Sequence, residues 1–411
     1  MNSSLRILFS VHGYKPAYQF GGPILSVSAL AEALVRKGHR VSVFTTNSNL
    51  TEDLDVPTDR PIDVDGVEVW YFKHEEPLKK WLPFVTYLSR SMGYLYAPKM
   101  RSALEEVVPT VDVVHTHLPF IYPTYVAGRV AYNCGKPLFY HQRGVFDPER
   151  LKFRSLKKRL YLNLIEIPRV LRHASILISL TEYETESYRL LGLDTPCEVI
   201  PNGIDSGTYW QNLPPEWHAK LGIKPESTVI LFLGRLHPIK GAQRLLQAFL
   251  QVQGQFPNAV LVMAGPDEFG IQESLKLQVT DSTIKGKILF PGMVSGDHKK
   301  ALLARADVFC LPSDGEGFSI AVLEAMASRT AVLLSPGCHF DVVESEGAGK
   351  VVPKDSESVA EALSDLLSDN DRLKKMGMAG FELVKMKYGW DHLVERLICV
   401  YERGIRERKT Q

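Results

Sequence analysis

Arg6-Ile-Leu-Phe-Ser-Val-His-Gly13 and Val229-Ile-Leu-Phe-Leu-Gly-Arg-Leu236 repeat one pattern in the two halves of the chain. In each, an almost unbroken apolar run stops at a polar turn, as a strand does when both its faces are covered and its end opens onto a loop. Further runs rich in Val, Ile, Leu and Phe at 40–46, 111–117, 137–141, 175–180, 259–265, 287–291, 307–312 and 331–335 alternate with helical patterns. One of these, 26–37, sets Val27, Leu30, Ala31, Leu34 and Val35 on a single face and stops at Gly38. The alternation predicts an α/β chain with two doubly wound parallel sheets.

Composition bounds the rest. At 411 residues the chain is too long for one core, and 45% apolar with 23% charged residues marks an ordinary globular protein. The expected division is a first domain over 1–200, a second over 201–388, and a last helix, 389–411, packing back on the first. The hinge is expected near 201–225, where Gly207, Pro214 and Pro215 interrupt regular structure. Lys and Arg number 48 against 47 Asp and Glu, which removes the overall charge excess that nucleic-acid binding needs. Five scattered cysteines, with no Cys-x-x-Cys, indicate neither a disulfide framework nor a zinc site. No signal-peptide core and no run of about 18 apolar residues is present, so a cytoplasmic location is expected.

Ligands of open α/β sheets bind beyond the carboxyl ends of the strands, so the polar residues there are the candidates. After 228–234 come Arg235 and Lys240, two cations suited to a diphosphate at a helix start, or two solvated loop charges. After 307–312, Glu316 lies between glycines, and Glu324 falls within an apolar helical pattern, where a buried carboxylate requires donors from a ligand or from an arginine. Gly21 and Gly22 present backbone amides to a phosphate, or simply begin a helix with Pro23. His12, His117, His141 and Arg143 converge on the strand ends of the first sheet. Two Asp-x-Asp triplets, 53–55 and 63–65, lie in a proline-punctuated segment and read as surface loop rather than a metal site. Neither sheet's first turn carries Gly-x-Gly-x-x-Gly, which disfavours a dinucleotide oxidoreductase.

Taken in order, the motifs 21–23, 111–117, 201–205, 234–241, 291–294, the glutamate pair Glu316 and Glu324, and Tyr-Gly-Trp-Asp-His-Leu at 388–393 resemble those of the retaining glycosyltransferases of family four. That family has the GT-B fold, two Rossmann-like doubly wound domains facing a cleft. The resemblance implies that Arg235 and Lys240 bind the donor diphosphate and stabilise it as leaving group, while the backbone of Gly21 and Gly22 approaches the distal phosphate. Glu316 would orient the sugar hydroxyls, Glu324 the ribose, and His117 would touch the sugar ring. Gly292, Met293 and Val294 would receive the nucleobase, Gly317, Phe318 and Ser319 would complete the donor side, and His141 and Arg143 would lie on the acceptor side. Asn202 would be a structural residue between domains. The implied donor is a UDP- or GDP-sugar, with no metal and no organic cofactor.

The acceptor is implied to be a glycan or lipid-linked glycan of bacterial surface polysaccharide or glycolipid synthesis. Between Arg143 and Arg172 stand nine basic residues against three acidic ones, among them Arg150, Lys152, Arg154, Lys157, Lys158 and Arg159, interleaved with Leu151, Phe153, Leu156, Leu160 and Tyr161. This segment reads either as a helix facing an anionic membrane, placing the protein on the inner face of the plasma membrane, or as a solvated helix. Two other functions share the architecture: a sugar-nucleotide epimerase and an inactive sugar-nucleotide-binding subunit.

Overall fold

The computed structural model describes residues 4–75, 94–146, 156–209, 221–267, 269–279 and 282–409. Backbone contacts divide the chain into two units, Met1–Gly203 with Trp390–Gln411, and Ile204–Gly389.

The first unit contains β1 (Arg6–Ser10), β2 (Arg40–Thr46), a two-residue ribbon of β3 (Ser48–Asn49) and β4 (Glu52–Asp53), then β5 (Ile62–Val64), β6 (Val67–Phe72), β7 (Val113–His117), β8 (Leu138–His141), β9 (Ile176–Ser179) and β10 (Cys197–Val199). Its main sheet runs β10-β9-β8-β7-β1-β2-β6-β5. All neighbours are parallel except β5, which folds back on β6 through Asp65 and Gly66, both left-handed as a two-residue hairpin turn requires. Of the Asp-x-Asp triplets, Asp53 ends the ribbon while Leu54 and Asp55 are loop as expected, and Asp63 to Asp65 lie in the hairpin rather than plain loop, with Asp65 paired with Lys15 at 2.8 Å.

Alternate residues of β1 feed two cores, Ile7 and Phe9 on one face and Leu8 on the other. The first core is closed by the helix Trp390–Lys409, through Leu393, Val394, Leu397, Ile398 and Tyr401. Two glycines allow that helix to seat. A Cβ at Gly203 would lie 2.6 Å from the Trp390 indole, and one at Gly404 would lie 2.6 Å from Phe139.

The second unit holds β11 (Thr228–Leu233), β12 (Ala259–Ala264), β13 (Ile288–Gly292), β14 (Val308–Leu311), β15 (Ala331–Leu334) and β16 (Gly349–Val351). The order β13-β12-β11-β14-β15-β16, parallel throughout, is that of a dinucleotide-binding Rossmann sheet. The order reverses between β11 and β14, and in the first sheet between β1 and β7. Those four strand ends are where a ligand is expected. The backbone enters and leaves the second unit side by side, with the Ile204 amide donating to the Tyr388 carbonyl at 2.9 Å.

Candidate functional site

At the switch point of the second sheet, the turn after β11 is pressed onto the loop after β14. Gly241 (φ 77°) closes the turn Pro238–Lys240, and a Cβ there would lie 2.0 Å from the Pro312 carbonyl oxygen. The Ile239 carbonyl accepts from the Asp314 amide (2.7 Å) and the Ser313 hydroxyl (2.9 Å). Arg244 clasps the same loop, donating to the Pro312 carbonyl (2.8 Å) and to Asp314 (2.6 Å). The outcome is that Lys240 Nζ meets both oxygens of Glu316, at 2.7 and 2.5 Å, in a half-buried ion pair. Arg235 stays exposed at the end of β11.

Glu324 lies eight residues on, inside the helix Ile320–Ala327, and is buried. Its Oε1 accepts from the Tyr209 hydroxyl at 2.8 Å and from Lys299 Nζ at 2.6 Å. Its partner is thus a lysine and a tyrosine, not the arginine the sequence suggested. Ser319 is the buried residue preceding this helix, while Phe318 packs on Phe340 (4.4 Å) and Tyr388 (5.6 Å), so its ring serves the core. Gly317 is half-buried in the same loop. Gly292 ends β13 in the left-handed region, Met293 is exposed, and Val294 rests on the core.

In the first unit, Gly21 (φ 77°) precedes the helix Gly22–Arg36, which begins at Gly22 with Pro23 next, four residues earlier than the apolar periodicity predicts. Both glycines are exposed. His117 ends β7 directly beside His141 of β8. Arg143, buried and itself left-handed (φ 52°), donates to His117 Nδ1 (3.2 Å), Ser26 Oγ (3.2 Å) and Asn202 Oδ1 (2.9 Å). Asn202 therefore fixes an arginine within the first unit. Burial draws the Arg143 guanidinium down to about 10.

His115, His117 and His141 bring ring nitrogens within 4.8 Å of one another. The donor set does not suit a metal ion. His117 spends its Nδ1 lone pair on Arg143, so its proton sits on Nε2, and a cation would have to lie beside a guanidinium. Burial first, followed by the Arg143 charge for His115 and His141 and by His115 and then Arg143 for His117, lowers all three imidazoles well below their ordinary value. His117 Nε2 and both nitrogens of His141 are buried with no hydrogen-bond partner among the described residues. Such groups cost stability unless a ligand satisfies them.

The family described as Glycosyl transferases group 1 matches residues 214–383, and that described as Glycosyl transferase 4-like domain matches 21–203. The chain is a glycosyltransferase, with a group 1 domain over residues 214–383. An uncharacterised glycosyltransferase of Methanocaldococcus jannaschii is 28% identical to it over 93% of this chain and 94% of that one. The phosphatidyl-myo-inositol mannosyltransferase of Mycolicibacterium smegmatis is 32% identical over 52% of this chain and 54% of its own length. Among solved structures, Anabaena HepE in complex with UDP superimposes with a TM-score of 0.74 at 18% identity, covering 98% of this chain and all of that one, which shows the GT-B fold.

The basic segment of the glycosyltransferase is described in part. Asp147, Glu149, Arg150, Leu151, Lys152, Phe153 and Arg154 lie outside the described residues, as do Pro214 and Pro215. From 156 to 169 the backbone is helical, and Leu156, Leu160 and Leu164 form an exposed row at a spacing of four, with Lys157, Lys158 and Arg159 exposed beside them. Among the described residues no helix is long and apolar enough to cross a membrane. Sequence reasoning missed Lys299 and Tyr209, which carry no motif of their own.

Proposed function

We propose that this glycosyltransferase is a retaining enzyme of family four that moves a sugar from a UDP- or GDP-sugar to a glycan or lipid-linked glycan. The observation that carries the reading is the Lys240–Glu316 pair at the switch point of the second sheet, with Arg235 on the same strand end. Arg235 and Lys240 take the charge that grows on the diphosphate as the bond from the anomeric carbon to the phosphate oxygen breaks. An acceptor hydroxyl attacks from the same face and gives its proton to the departing phosphate oxygen, so the chain supplies no nucleophile. Glu316 aligns the sugar hydroxyls, Glu324 takes the ribose, and the Gly292–Val294 loop takes the base. The backbone of Gly21 and Gly22 approaches the distal phosphate. His117, with an N–H on Nε2 in want of an acceptor, meets a sugar hydroxyl, and His141 and Arg143 serve the acceptor side. Two side-chain cations stand where other transferases place a divalent ion.

The UDP and UDP-glucose complexes of HepE support a uridine donor, and the inositol lipid in the name of the mycobacterial relative supports a lipid acceptor. The exposed leucine row beside Lys157, Lys158 and Arg159 supports peripheral attachment to an anionic membrane from the cytoplasm. The test is incubation with UDP- and GDP-sugars with and without EDTA, reading nucleotide diphosphate release and the anomeric configuration of product by NMR. Release that survives EDTA with an α-linked product from an α-donor is expected. Conversion of the donor to another sugar nucleotide without acceptor would establish the epimerase instead.

A further inference from the structure

We infer that Lys299 and Tyr209 are positioning residues that aim Glu324 at the ribose and thereby set a preference for ribonucleotide over deoxynucleotide donors. The inference rests on the reading of Glu324 as the ribose acceptor. A carboxylate oxygen has two lone pairs, and Oε1 uses both, one on the Tyr209 hydroxyl at 2.8 Å and one on Lys299 Nζ at 2.6 Å. Oε2 makes no hydrogen bond among the described residues, so it is the oxygen left to accept from a ligand.

Three separate elements build this arrangement. Glu324 stands on Ile320–Ala327, Lys299 on the helix Gly296–Arg305 that follows the proposed base loop, and Tyr209 on the turn after Ser206–Thr208. Lys299 is 21% exposed and Glu324 5%, so the pair is shielded enough to hold its geometry. Fixing Oε1 removes rotation of the carboxylate about its last bond and leaves Oε2 in one direction. Tyr209 remains a hydrogen-bond donor at any working pH, because burial first and the Glu324 charge next push its hydroxyl far up. Lys299 also cancels the charge that Glu324 would otherwise present to a donor diphosphate.

The experiment measures binding of UDP, GDP and their 2′,3′-dideoxy counterparts by calorimetry, following the ratio of ribo to dideoxy affinity for whichever base binds more tightly. The wild type should favour the ribo ligand ~10-fold or more, and Glu324→Gln should bring the ratio near one. Lys299→Met and Tyr209→Phe should each lower the ratio roughly fivefold, and in turnover assays the loss should fall on KM for the donor rather than on kcat. Tyr209→Phe removes a single hydroxyl and tests the claim even if Lys299→Met folds poorly. A wild type with no ribo preference, or a preference that survives Glu324→Gln, removes the reading of Glu324 itself. A preference lost in Glu324→Gln but kept in full by both other variants overturns the positioning role and leaves Glu324 standing.

Discussion

Lys240 gives hydrogen bonds to both oxygens of Glu316, so a donor must trade against an ion pair that already exists. The trade suits a group whose main work comes late, when the diphosphate gains charge. Lys240→Ala and Arg235→Ala should each cut kcat ~10²-fold or more at saturating donor with little change in melting temperature, and near wild-type turnover in both would remove the assignment. A second expectation concerns His12, buried after β1 and held neutral down to about pH 4 by burial. The unfolded chain takes up this proton near 6.5, so between those values it binds more protons than the folded one. Stability is then complete above about 6.5 and lost as pH falls toward 4, by up to about 3 kcal/mol from this group. Urea unfolding at pH 7 and pH 4.5 should show the loss, and His12→Gln should reduce it. Motifs named Lys240, Glu316 and Glu324 one by one, but neither the pairing of Lys240 with Glu316 nor the partners of Glu324. Lys299 and Tyr209 lie 25 and 115 residues from Glu324, and proximity of that kind leaves no local pattern in a sequence.

Glycine fixes the loops on which those residues stand. At Gly241 the backbone is left-handed and a Cβ would run into the Pro312 carbonyl, so Gly241→Ala should lower stability by about 3 kcal/mol and loosen Lys240 from Glu316. A melting curve unchanged by this substitution would contradict the packing. All ten apolar runs read as strands are strands, since a core strand between two helical layers must be apolar along its length. The strands that escaped notice are β6, whose Val67, Val69 and Tyr71 enter one core while Trp70 and Phe72 pack on the other and Glu68 is exposed, the short edges β5, β10 and β16, and the two-residue ribbon of β3 and β4. Edge strands need little apolar surface and so leave little trace. The leucine row of 156–164 yields an element-scale expectation. Replacing Leu156, Leu160 and Leu164 by Ser should abolish sedimentation with anionic vesicles, and raised salt should weaken it in the unchanged chain. Full binding by the triple variant would make the row an ordinary solvated face.

The two units differ in how the chain supplies them. Residues 204–389 are continuous, with their ends joined by the Ile204–Tyr388 hydrogen bond, and their core is their own. Expressed alone, this segment should fold with a cooperative melt and retain UDP or GDP binding, and a disordered product by circular dichroism would count against its independence. The first unit has no such autonomy, because Leu393, Val394, Leu397 and Tyr401 complete its core. As the polypeptide leaves the ribosome, almost half of its residues must therefore wait, with one face of the first sheet only partly covered, while the inserted unit is made and folds. Only the last helix to be synthesised ends that wait, so a chain truncated before Trp390 would meet the cell's chaperones and proteases as an unfinished protein rather than a shortened enzyme.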